Sequence, residues 1–120
     1  MTVCAIHHVQ LAMPPGKEDE ARHFYRDILG MDEVPKPPDL AKRGGAWFRS
    51  REASVHLGVD TNFRPAMKAH PAFLCENYDA FLHRLTQHNV AIVPDQQLVD
   101  GRAHCYVSDP FGNRIEIIEV

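Results

Sequence analysis

Metal-capable side chains recur along this chain at matched spacing: His8 and His70 are 62 residues apart, and His56 and Glu116 are 60 apart. An imidazole offers a nitrogen lone pair and a carboxylate an anionic oxygen, and both are ordinary ligands for a divalent transition metal. Around each pair the chain repeats one plan, a His-bearing strand, an amphipathic helix and a strand hairpin ending on the second donor. Two copies of one supersecondary unit that deliver His, His, His and Glu to equivalent positions imply a pseudo-symmetric metal cup rather than scattered histidines.

Periodicity shows the elements that must position these donors. Val3 to Met13 alternates as a strand does, with Val9, Leu11 and Met13 on one face and Ile6, His8 and Gln10 on the other, so His8 points away from the apolar face. Pro14-Pro15-Gly16 breaks the strand. Ala21, Phe24, Tyr25, Ile28 and Leu29 then recur at three- and four-residue spacing up to Gly30, which predicts a helix lying on the sheet. Met31 to Pro35 reads as a short strand and Lys36 to Asp39 as an irregular, Pro-rich loop. A hairpin follows, Ala46 to Arg49 and Ser54 to Val59, with Val55, Leu57 and Val59 on the core face and Ser54, His56 and Gly58 on the opposite one.

The second half repeats this order. Ala69 to Cys75 is a strand carrying His70, and Tyr78, Phe81, Leu82 and Leu85 give a second helix its apolar stripe, with Asn77 as N-cap and Asn89 at the left-handed stop. Val90 to Val93 predicts the next strand, Asp100-Gly101 a tight turn, and Arg102 to Ser108 a strand running into Asp109-Pro110-Phe111-Gly112-Asn113. In the last strand Ile115 and Ile117 face one way and Arg114, Glu116 and Ile118 the other, so Glu116 lies in an otherwise apolar run and needs a partner. His104 and Tyr106 share the donors' parity, whereas His23, His83 and His88 sit on the helices. His7 adjoins His8 on the opposite strand face, where adjacent side chains diverge, which argues against joint ligation.

At 120 residues the chain suits a single domain of two modules, about 1–59 and about 69–120, joined by a linker at about 60–68, because neither module alone can bury its sheet face. Thirteen basic residues against 16 acidic ones, without a long run of like charge, show no nucleic-acid footprint and no polybasic membrane patch, leaving small molecules as the expected partners. Cys4, Cys75 and Cys105 are odd in number and widely spaced, so reduced thiols are expected rather than a disulfide framework or a zinc knuckle. With no signal-like opening and no apolar stretch of bilayer length, a cytoplasmic protein is expected.

In order and spacing, His8-Val9-Gln10-Leu11, the run Ala21-Arg22-His23-Phe24-Tyr25-Arg26-Asp27-Ile28-Leu29-Gly30, and Asp109-Pro110-Phe111-Gly112-Asn113-Arg114-Ile115-Glu116 resemble the vicinal oxygen chelate superfamily. That superfamily includes glyoxalase I, the fosfomycin and bleomycin resistance proteins and the type I extradiol dioxygenases. The resemblance covers nearly the whole chain. It implies an α+β fold in which two βαβββ modules form one cupped eight-stranded mixed sheet with helices on the outer face. It also implies one divalent metal ion per protomer, Fe, Mn, Ni, Co or Zn, held by His8, His70 and Glu116 with positions left for substrate or water.

His56 stands where glyoxalase I enzymes carry a Glu or Gln, so the resemblance implies it as a fourth ligand or an acid–base group, with Glu116 the other catalytic candidate. Tyr106 matches a substrate-binding tyrosine of the fosfomycin resistance proteins; His104, Trp47 and Arg64 complete the candidate substrate contacts. Three functions follow. In a lyase or isomerase type, the metal polarises two substrate oxygens and an enediolate-like oxyanion is stabilised. In an Fe(II) extradiol-type dioxygenase acting on a catechol-like substrate, His56 moves the proton. In a metal-free antibiotic-sequestering binding protein of the bleomycin-resistance type, the cleft only binds. Small members of the superfamily generally pair, so a homodimer is expected.

Overall fold

The computed structural model describes residues 1–120, and the chain divides into two compact units, Met1–Arg64 and Pro65–Val120. The first runs β1 (Val9–Met13), a helix that starts as α1 (Glu18–Ala21) and continues as a π-helix over Arg22–Ile28, β2 (Asp32–Val34), α2 (Pro38–Ala41), β3 (Ala46–Ser50) and β4 (Ala53–Val59). The second runs β5 (Ala72–Cys75), α3 (Tyr78–Gln87), β6 (Val93–Val99), β7 (Arg102–Ser108) and β8 (Arg114–Glu119). No helix is long and apolar enough to cross a membrane.

The two modules share one topology. Strand order is β1-β4-β3-β2 in the first and β5-β8-β7-β6 in the second, with the outer pair parallel and the other two pairs antiparallel in each. Even the register corresponds. His56 lies between Gln10 and Trp47 on neighbouring strands, and Glu116 lies between Ala72 and Tyr106. The α+β fold of two βαβββ modules is therefore as expected. The single eight-stranded sheet is not: β1 and β5 are edge strands, each laddered on one side only, so the backbone hydrogen bonds close into two four-stranded sheets.

Each helix buries most of the residues its spacing selects, Leu29 and Leu82 being only half-buried. In the first, Ala21, Phe24, Tyr25 and Ile28 meet Met13, Phe48, Val55 and Leu57, all essentially inaccessible. Its π winding is marked by the Leu29 N–H reaching back five residues to the Phe24 carbonyl at 2.9 Å. The wider turn lets two consecutive aromatics share the core face, where Tyr25 stacks on Phe48 at 5.4 Å. In the second unit Tyr78, Phe81 and Leu85 of α3 cover Cys105, Val107, Ile115 and Ile117. Gly30 and Asn89 end the two helices with φ of 79° and 60°, the left-handed stop that glycine and asparagine tolerate.

Several boundaries differ from the periodic reading. The first strand begins at Val9 rather than Val3, where its parallel ladder with β4 starts by pairing Val9 with Val55. His8 thus precedes its strand. His70 likewise precedes β5, since Pro71 has no N–H to give the ladder; its carbonyl instead accepts from Glu116 N–H at 3.0 Å. The Pro-rich loop contains a helical turn, α2, started by Pro38, whose fixed φ suits a first helical position. Asn77 occupies the N-cap position of α3 in a left-handed conformation and caps through its backbone carbonyl, which accepts from Phe81 N–H at 2.9 Å, not through its side chain. The sixth strand starts at Val93, leaving Val90–Ile92 outside it.

Candidate functional site

In the first unit the exposed face of the sheet, roofed by the β2–β3 connection, bounds an open cavity of about 630 Å³. His56 reaches it because β4 alternates strictly, Val55 and Leu57 going to the core. Trp47, its cross-strand neighbour, stacks on the imidazole at 3.9 Å and 6°, and His8 stacks at 3.9 Å and 15°. Rings this nearly parallel hold their in-plane lone pairs in separate planes, so His8 and His56 cannot ligate one ion unless one ring leaves the stack. Partial burial, followed by the positive charges of His8, His7, Lys36 and Arg49, pushes the His56 imidazole below its ordinary value and favours the neutral ring.

His7 is nearer to this group than strand alternation predicts. Its Nδ1 lies 2.9 Å from His8 Nδ1, so one ring donates to the other. Both residues precede β1, where the strand's divergence of neighbours does not apply. Arg64 is exposed and does not line the cavity of its unit. Lys36 and Arg43, which periodicity left in loops, do line it.

In the second unit the polar groups converge on Glu116. The carboxylate is buried; its Oε1 lies 3.0 Å from His70 Nε2 and its Oε2 2.8 Å from His104 Nδ1. The Lys68 carbonyl, 2.8 Å from His70 Nδ1, can only accept, so that nitrogen carries the proton and Nε2 is the one turned to the carboxylate. His104 is fixed the same way, donating through Nε2 to the Gln97 carbonyl at 2.7 Å. A bulge in β6 makes this contact: Asp95 pairs with His104, the register then shifts, and Asp95 Oδ1 accepts from Gln97 N–H at 3.0 Å to shape the bend. Tyr106 sets its ring edgewise to both histidines, at 5.3 and 5.6 Å, under the Arg114 guanidinium at 4.0 Å.

The Asp109–Asn113 motif builds rather than reacts. Asp109 Oδ1 accepts from Phe111 and Asn113 N–H at 2.9 and 2.8 Å, and Oδ2 accepts from Asn113 Nδ2 at 2.8 Å. Gly112, at φ 91°, completes the turn. This knot sets the β7–β8 register that places Tyr106 opposite Glu116.

Among the donors of the second unit, His70 Nε2 and Glu116 Oε1 form a pair suited to adjacent positions on a divalent ion. The Nδ1 bond to a backbone carbonyl orients His70 as metal-bound histidines are commonly oriented. No three His, Cys, Asp or Glu side chains are gathered closely enough to hold an ion by themselves. Of the four candidate donors, the structure brings His70 and Glu116 together; sequence reasoning missed what aims them, the carbonyls of Lys68 and Gln97, because a backbone oxygen has no sequence signature.

The chain is similar to several proteins of known structure. A glyoxalase family protein of known structure from Bacillus anthracis is 46% identical, with 99% of this chain and 97% of that one covered and a TM-score of 0.94. A lactoylglutathione lyase from Agrobacterium tumefaciens is 21% identical over 99% and 96% of the two chains (TM-score 0.70). An antibiotic binding protein from a Streptomyces species is 20% identical over 98% of each (TM-score 0.73), and both of these share the fold alone. No curated protein matches the chain. The sequence profile of one family extends over residues 5–117, and the chain belongs to that family, the Glyoxalase/Bleomycin resistance protein/Dioxygenase superfamily.

Proposed function

We propose that the chain is a divalent-metal-dependent enzyme of lyase or isomerase type acting on a small oxygen-bearing substrate, with His8, His70 and Glu116 as protein ligands. The observation that carries the reading is the His70–Glu116 pair, in which Nε2 faces a buried carboxylate while Nδ1 is committed to the Lys68 carbonyl. When bound, the metal would supply Lewis-acid polarisation of two substrate oxygens. Glu116 contributes a negative oxygen, His70 a nitrogen of fixed orientation, and His104 holds the carboxylate from behind. His56, stacked and biased toward its neutral form, serves as the proton acceptor rather than as a fourth ligand.

Elemental analysis after metal stripping and anaerobic reloading with Fe(II), Mn(II), Ni(II), Co(II) or Zn(II) tests this. About one ion per protomer is expected, with strong loss in Glu116→Gln and in a His8→Ala/His70→Ala pair and none in Tyr106→Phe. Equal retention in wild type and Glu116→Gln would sink the reading. A second reading, an Fe(II) extradiol-type dioxygenase acting on a catechol-like substrate, draws on His56 being an imidazole where its symmetry mate Glu116 is a carboxylate. Oxygen uptake with iron alone among the five metals would favour it. Specific uptake of no metal would favour an antibiotic-sequestering protein.

A further inference from the structure

We infer that the cavity of the Met1–Arg64 unit takes a small molecule bearing an oxyanion, a carboxylate, phosphonate or phosphate. This rests on the enzyme reading in one respect, that His8 and His56 line the same cavity, and it deepens that reading by naming the substrate's charge. Lys36, Arg43 and Arg49 line the cavity together with His7, His8 and His56, and no Asp or Glu does. The segregation runs against composition, since the chain carries 16 acidic residues against 13 Lys and Arg.

Elsewhere in the unit, two arginines are neutralised locally. Arg22 bridges Asp19 at 2.9 Å and Glu33 at 3.0 Å, and Arg26 binds Asp27 at 2.8 Å. The cavity's cations have no such carboxylates: Lys36 Nζ donates to the Gly44 carbonyl, and Arg49 Nε reaches only the Ser54 hydroxyl at 3.4 Å. Two segments supply them, the β2–β3 roof with Lys36 and Arg43 and strand β3 with Arg49, and the roof is anchored. Gly45 N–H donates to Glu18 Oε2 at 2.9 Å, and Gly45 lies so close to β4 that a Cβ there would come within 2.0 Å of the Leu57 carbonyl oxygen. Unpaired cations around a concavity focus the field on an anion and raise its local concentration.

Trp47 is the chain's one tryptophan and lines the cavity, with Lys36 Nζ 6.0 Å from its ring, so its emission reads occupancy directly. The test titrates metal-stripped protein, dialysed free of chelator, with benzoate and phenylphosphonate against neutral benzamide. Saturable change with the anions is expected, at least about tenfold tighter than benzamide and weakening with added salt. Arg49→Gln and Lys36→Gln should each weaken it roughly tenfold, with Arg49→Lys restoring much of the loss. Equal affinity for benzamide, or unchanged emission up to ~10 mM anion, overturns the inference. Because no metal is present, anion binding survives a failure of the metal reading, and metal uptake without anion preference defeats this inference alone.

Discussion

His104 Nδ1 and Glu116 Oε2 stand 2.8 Å apart, both side chains nearly sealed from solvent, and this contact leaves Oε1 as the carboxylate oxygen turned to His70. His104 was a candidate substrate contact in the sequence; its ring nitrogens are spent instead on Glu116 and the Gln97 carbonyl. His104→Leu is expected to weaken metal affinity about 10- to 100-fold, the usual effect of losing a group that orients a ligand. It should also lower stability by about 1–3 kcal/mol, because the buried Glu116 carboxylate loses its polar partner. Metal competition titration and urea unfolding of the stripped protein separate the two effects, and unchanged affinity would remove His104 from this role.

Stability should depend on pH through His56. Its folded-state value lies below the ordinary 6.5, so between the two the unfolded chain binds more protons and stability rises with pH. Acidification from 6.5 toward the folded value therefore destabilises the protein, while above that range His56 adds no slope. Urea midpoints of metal-free wild type and His56→Phe from pH 5 to 8 should show a shallower acid loss in the variant. Parallel curves would show that the stacked ring is not the group responsible.

The three thiols should differ in reactivity. Cys4 is exposed, whereas burial raises Cys75 to about 11 and pushes Cys105 upward as well. One fast-reacting thiol per chain is expected with a disulfide reagent at neutral pH, abolished by Cys4→Ser. Fast modification of Cys75 would contradict its environment.

Gly45→Ala should be costly for a surface-loop change. The residue sits at φ 82° and a Cβ would meet the Leu57 carbonyl, so a loss of at least about 1–3 kcal/mol is expected. Gly16→Ala, also at positive φ but with nothing within 4 Å, should cost less. Comparing their unfolding midpoints checks whether the close approach, beyond the dihedral alone, matters.

Much of the fold was legible because each face has a period. Val55 and Leu57 against His56, and Ile115 and Ile117 against Glu116, follow alternation, and Tyr78, Phe81 and Leu85 follow a helix. Ends were less legible, since a strand extends only as far as its pairing: nothing local in Val3–His8 reports that the ladder with β4 starts at Val9. The candidate donors were legible as residue types in a repeat. Their aim was not, because it depends on the Lys68 and Gln97 carbonyls and on a bulge whose only trace is Asp95. Lys36 and Arg43 were missed as cavity residues for a related reason: a loop has no period, and they meet Arg49 only through the folded roof.

The π-helical winding of Arg22–Ile28 gives the first helix a slack residue. Deleting exposed Arg26 or Asp27 lets five-residue hydrogen bonds close as four-residue ones, so the chain on either side keeps its phase and Phe24 and Ile28 keep their burial. The same deletion in α3 has no slack to absorb it, and every later side chain turns by about 100°. Length variation among relatives is thus expected to collect in the first helix and to spare the second, an insertion-and-deletion hot spot written into the hydrogen-bond pattern.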